Sequence, residues 1–191
     1  MKPSHLALAV AGSFALILII VMAIFLWPSP PPVPTQEELA ADFAKGMKYE
    51  RGDGVTTDYG QALAWYRKAA DAGYPPAQFA MGRITEAGHG VVRDEKAAAD
   101  WFRRAAEQAF AEAQVQLAGN LLTGIGTADG KPDKIEALKW LMLGADAMPD
   151  PLSQQVARTT RDKLAHELSD ADRIAAEGRA DAWRKQHAPP M

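Results

Sequence analysis

The sequence predicts an all-α protein, an α/α superhelical solenoid of helix-turn-helix repeats preceded by one N-terminal transmembrane helix, and three observations carry that prediction. The first is a period: Gly52-Asp53-Gly54, Asp58, Ala62 and Trp65 fall on Gly88-His89-Gly90, Asp94, Ala98 and Trp101 when the chain is slid by 36 residues. The register continues onto Gly124 and Gly126 and, after a three-residue insertion, onto Asp133, Ala137 and Trp140. A fixed period of this size marks stacked helical pairs, in which one unit cannot bury its own apolar face and its neighbours complete the core. The second is an uncharged run from Leu6 to Trp27. The third is the proline cluster that separates the two parts, Pro28-Ser29-Pro30-Pro31-Pro32-Val33-Pro34.

Taken in chain order, residues 1–27 read as a membrane anchor. The 22 residues from Leu6 to Trp27 span roughly 33 Å as a helix, enough for a hydrocarbon core of about 30 Å. Thirteen are Leu, Ile, Val or Phe, each favouring insertion by about 0.3–0.6 kcal/mol when centrally placed. A cleaved secretory signal has a shorter apolar region and ends in a small-x-small site, whereas this run ends Phe25-Leu26-Trp27-Pro28. Lys2 precedes the run, and Glu37, Glu38 and Asp42 are the first charges beyond it. That charge bias places the N-terminus in the cytoplasm and the repeats outside it, and the alanine-rich usage and short anchor point to a bacterial inner membrane with the repeats in the periplasm. Residues 28–35 then form a semi-rigid polyproline linker, rising about 3.1 Å per residue.

Residues 36–148 hold about three repeats. A first helix over 36–51 leads into Gly52-Asp53-Gly54, whose glycines suit the positive φ of a tight chain reversal. Asp58 stands where an N-cap belongs, and a second helix runs through Ala62, Trp65, Tyr66, Ala69 and Ala70 to Gly73, the expected C′ residue. Ala62, Ala98 and Ala137 lie three residues before Trp65, Trp101 and Trp140, which puts each pair on one helix face. The tryptophans are accordingly expected to form the spine of the solenoid. After Pro149-Asp150-Pro151 the period ends. Residues 149–191 read as two capping helices, from Ser153 to Glu167 and from Ser169 to Gln186, with Val156, Leu164, Leu168, Ile174 and Trp183 as their apolar residues. Pro189-Pro190-Met191 is expected to be a frayed tail.

The pattern Tyr49-x-x-Gly52-x-Gly54-Val55-x-x-Asp58-x-x-x-Ala62-x-x-Trp65-Tyr66-x-Lys68-Ala69-Ala70-x-x-Gly73-x-x-x-Ala77 resembles the Sel-one-like repeat, a relative of the tetratricopeptide repeat. It recurs from Gly88 to Ala106 and, more loosely, from Ala113 to Ala145. The resemblance implies a right-handed α/α superhelix acting as an interaction scaffold, with no shared reaction. Three departures stand out: Lys45 occupies the place held by Met81 and Leu117, Ala109 replaces the glycine at Gly73, and the third turn carries the insertion around Ala128-Asp129-Gly130.

Chemistry is hard to find in this chain. Cysteine is absent, so there are no disulfides, thiolate metal sites or cysteine nucleophiles. The formal charge is −3, with 24 acidic residues, and this balance argues against nucleic acid as a partner. The four histidines, His5, His89, His166 and His187, form no i,i+4 metal pair. Asp58, Asp94 and Asp133 are explained by helix capping. No phosphate-cradling loop or nucleophile elbow occurs. The expectation is a protein that is not an enzyme and takes no cofactor, metal or small-molecule substrate. Its partner is another protein, met on the first helices at Phe43, Phe79 and Val115, with Met47, Arg83 and Gly119 one turn further along. An adaptor or regulator fits this description, as does an accessory subunit of a larger envelope, secretion or respiratory complex. Small residues at Ala7, Ala11 and Ala15 suit close helix contact in the second case.

Overall fold

The computed structural model describes residues 32–188. The expected anchor over 1–27, most of the proline run and the expected tail lie outside them. None of the described helices is long and apolar enough to cross a membrane. From Thr35 onward the chain alternates helix and turn: α1 (Gln36–Arg51), α2 (Tyr59–Asp71), α3 (Pro75–Ala87), α4 (Glu95–Ala106), α5 (Ala111–Leu122), α6 (Lys134–Gly144), α7 (Pro151–Glu167) and α8 (Asp170–Gln186). No strand occurs among the described residues. Through α5 each helix packs chiefly on the one before and the one after it, as a solenoid of hairpins requires.

The helix boundaries follow from caps. Asp58, Asp94 and Asp133 each accept a hydrogen bond from the backbone N–H three residues on, at 2.9 Å, which satisfies an otherwise orphaned donor of α2, α4 and α6. Thr35 and Glu38 form a reciprocal capping box at the start of α1. Gly52 and Gly88 close α1 and α3 in the left-handed region, at φ 75° and 74°. Gly73 takes the same region at φ 91°, but its counterpart Ala109 does so at φ 61° with a side chain. That conformation costs an alanine about 1–2 kcal/mol, and glycine gives back about 0.4–1 kcal/mol through its freer unfolded chain. Ala109→Gly is therefore expected to stabilise the protein by about 0.5–1 kcal/mol, measured by chemical denaturation.

The core interlocks by a small-to-large rule that differs from the expected one. Tyr66 and Phe102 are fully buried. A Cβ added at Gly46 would lie 2.5 Å from Tyr66 Cε1, and one at Gly82 would lie 2.6 Å from Phe102 Cδ1. In the first two repeats the first helix thus offers a glycine to the aromatic ring of the second helix. The third repeat replaces the pair by Ala118 and Leu141, both buried in one cluster. The tryptophan spine is corrected accordingly: Trp140 is buried, but Trp65 and Trp101 are only partly so. Neighbouring helix residues point about 100° apart, so the position after each tryptophan faces the core and the indole falls at its margin. There the ring is covered by a cation, Lys45 at 4.3 Å from the Trp65 centroid and Arg104 at 4.5 Å from Trp101.

A buried glutamine clamps each repeat to the last. Gln78 and Gln114 donate to the carbonyls of Ala70 and Ala106, eight residues earlier, at the end of the preceding second helix. Gln154 makes the same bond to Asp146. By this mark α7 is the first helix of a fourth repeat whose second helix never follows. It starts two residues before the expected Ser153, with Asp150 as N-cap and Pro151 in its first turn. Instead of pairing with α7, α8 lies back on α6. Trp183 meets Trp140 edge-on at 6.2 Å and donates from Nε1 to Glu107 at 2.8 Å. The apolar face of the cap matches expectation at Leu164, Leu168 and Trp183, which are buried in or packed against the core, and differs elsewhere. Val156 and Ile174 are 59% and 67% exposed, while Ala157, Leu164, Ala176 and Ala180 are buried. Small residues let α8 approach α6 closely; the larger ones were the visible feature in the sequence.

Both ends of the solenoid are finished with ion pairs. Asp42 stands where Gln78 and Gln114 stand in later repeats, and with no described helix before α1 it binds Lys68 at 2.7 Å and Lys45 at 3.2 Å. Glu136 joins α6 to α8 through Arg179 at 2.9 Å, and Asp146 joins the turn after α6 to α7 through Arg158 at 2.5 Å and Arg161 at 2.9 Å. The Lys68 hydrogen bond holds Asp42 below its ordinary value, and Arg158 and Arg161 do the same for Asp146. At Glu136 burial pushes the carboxyl up, but Lys139 and Arg179 outweigh it and the net direction is down. A depressed carboxylate contributes stability that is present above its unfolded pKa and lost as pH falls through the folded one. Stability is therefore expected to hold from pH 7 to about 5 and to fall below about 4, where free carboxylates protonate. Denaturation midpoints across that range check this.

Candidate partner-binding face

The first helices of the repeats present equivalent rows: Phe43, Phe79 and Val115, then Met47, Arg83 and Gly119, then Glu50, Glu86 and Leu122. Phe43, Met47, Phe79 and Val115 are half-buried, and Arg83 and Gly119 are exposed. The rings have one side against the core. Phe43 lies 5.4 Å from Tyr66 and 5.8 Å from Tyr74, and Phe79 lies 5.5 Å from both Phe102 and Phe110.

The six expected residues form two cavities instead of one stripe. Phe43, Met47, Phe79 and Arg83 line a cavity of about 360 Å³ between α1 and α3, together with Glu50, Arg51, Tyr66 and Phe110. Val115 and Gly119 line another of about 430 Å³ between α5 and α7, with Leu122, Met148, Leu152 and Val156. Between the two, Gln116 of α5 reaches Glu86 of α3 at 3.4 Å, joining those helices where a third valley would lie. The second cavity is open because the row that begins Phe43, Phe79 ends in valine, and the row Met47, Arg83 ends in glycine. A Cβ at Gly119 would meet nothing within 4 Å.

The first cavity holds a polar network that sequence reasoning missed. Glu50 accepts from the Tyr66 hydroxyl at 2.5 Å on one oxygen and from Arg83 at 2.7 Å on the other. Burial, then the Glu50 hydrogen bond and charge, push the Tyr66 hydroxyl far above its ordinary value, so it stays a donor at any working pH. The recurrence of glutamate at Glu50 and Glu86 was the available signal. Among the described residues no group of His, Asp and Glu is arranged to hold a metal ion. His89 is exposed in its glycine turn, its ring 4.7 Å from that of Tyr59.

Comparison with known proteins agrees with this architecture. The family model described as the Sel1 repeat matches three times, at residues 38–74, 75–110 and 111–147. A solved Sel1 repeat protein from Oxalobacter formigenes is 33% identical, with a TM-score of 0.55 over 64% of this chain and 89% of that one. A protective antigen present in uropathogenic Escherichia coli strains, which displays an SLR fold, is 25% identical with a TM-score of 0.56 over 81% of this chain. This chain spans 39% of that antigen's length. No curated protein matches the chain. The three tandem matches, over more than half of the chain, establish that the protein belongs to the Sel1 repeat family.

Proposed function

We propose that this protein is a membrane-anchored periplasmic scaffold that captures a partner protein on the face formed by its first helices. Repeats of this family generally mediate protein–protein interaction and form a scaffold without a reaction of its own. The observation that carries the reading is the pair of cavities on that face. Half-buried rings and aliphatic side chains open to solvent there in valleys between helices, where a partner's helix or extended segment finds apolar anchors. Supporting the location are the uncharged run over 6–27 and the placement of Lys2 before it.

Two experiments test this. Phe79→Asp places a charge in the wall of the first cavity, and it is expected to abolish partner capture while circular dichroism stays helical; unchanged capture rejects the face. A C-terminal alkaline phosphatase fusion is expected to be active and a green fluorescent protein fusion dark, since the first matures only outside the cytoplasm and the second, by this export route, only inside. The reverse pattern rejects the orientation. The adaptor reading further predicts that capture survives removal of residues 1–34, whereas an accessory subunit loses its complex with the anchor.

A further inference from the structure

The cavity between α1 and α3 breaks the repeat symmetry in its charges. Arg51 corresponds to Ala87 and Thr123 in the later repeats, and Arg83 corresponds to Met47 and Gly119. An arginine from each of two first helices therefore lines this valley only. The one carboxylate among its lining residues, Glu50, is committed on both oxygens, to Tyr66 and to Arg83. No carboxylate among the described residues lies within ion-pair distance of Arg51. Arg83 is half-exposed, and its bond to Glu50 leaves other guanidinium N–H groups of its planar fork facing outward. Around these cations stand Phe43, Met47, Phe79 and Phe110. The cavity thus carries one net positive charge in an apolar wall, on a protein whose formal charge is −3.

From this charge complementarity we infer that the valley takes a segment of a partner protein in which an Asp or Glu carboxylate stands beside a large apolar side chain. The carboxylate lies on Arg51 and Arg83, and the apolar side chain lies against Phe43 and Phe79. Glu50 and Tyr66 are positioning residues: they fix the Arg83 fork in the cavity wall before the segment arrives, so less freedom is lost on binding. This rests on the partner-binding reading above and adds the chemistry of what is bound.

The test uses the full-length protein in detergent micelles and a phage-displayed library of random heptapeptides. Enriched sequences are expected to carry Asp or Glu within two positions of Phe, Leu, Ile, Met or Trp. A synthetic peptide of enriched sequence is expected to bind about tenfold or more tightly than its Asn or Gln counterpart, the usual effect of a charge-assisted hydrogen bond. Arg51→Gln, which breaks no contact described above, is expected to erase much of that preference, and Arg51→Gln with Arg83→Gln all of it. Phe79→Asp removes binding of both peptides. Enrichment of neutral apolar peptides that still need Phe79 leaves the binding face standing and overturns the carboxylate assignment. A preference for acid that survives in the double arginine variant overturns it as well. A library with no enriched sequence overturns both.

Discussion

Truncating Phe102 to alanine is expected to cost about 3–5 kcal/mol, because a fully buried ring at the junction of α3 and α4 is lost and the backbone around Gly82 cannot collapse to fill the space. The informative experiment is the pair. Gly82→Ala adds a methyl 2.6 Å from Phe102 Cδ1, where overpacking costs about 1–3 kcal/mol, against about 1 kcal/mol returned by the better helix former. Phe102→Leu alone leaves a partial void. Together, Gly82→Ala and Phe102→Leu recreate the Ala118 and Leu141 combination of the third repeat, and the methyl gained sits where the ring edge was removed. The double variant is therefore expected to be more stable than the two single changes sum to, by about 1 kcal/mol or more of coupling in a double-mutant cycle. Simple additivity would show that ring and glycine are not a fitted pair.

The second large effect concerns the cap. Trp183→Ala is expected to destabilise by about 2–4 kcal/mol, since it removes the edge-on contact with Trp140, the indole bond to Glu107 and the stacking surface for His187 at 4.1 Å. The loss should be local before it is global. Without the indole, α8 rests on α6 through Ala176, Ala180, the Arg179–Glu136 pair and the Arg184 bond to the Met142 carbonyl, so amide hydrogen exchange is expected to rise first over 170–186. Amides of α1 to α3 keep their protection, because a solenoid repeat contacts only its neighbours. Equal loss of protection across all repeats would mean that the cap and the repeats unfold as one unit.

Much of the architecture was legible from single residues. An aspartate at an N-cap or a glycine after a helix acts through its own backbone and the next three or four residues, so Asp58, Asp94, Asp133, Gly52 and Gly73 announced their roles without any tertiary information. Even the departure at Ala109 was visible as a misfit and proved to be a left-handed alanine. The tryptophans misled because size and recurrence do not report direction. Trp65 and Tyr66 are equally apolar candidates, and which of them meets Gly46 depends on how α2 is rotated against α1. The six positions of the proposed face were named from the sequence, but their division between two cavities follows from Gln116 meeting Glu86 across two helices 30 residues apart.

The sequence by itself determined the number of repeats, the ends of their helices and the positions that face one another in register, since period and capping are local properties repeated along the chain. Only the tertiary structure decided that Tyr66 and Phe102 are the buried rings, that Glu50, Tyr66 and Arg83 join into one network, and that α8 folds back on α6 while α7 stands as half a repeat. Each of these depends on which side chains from distant segments fill the same volume, and close packing allows one arrangement to win by margins that no single segment contains.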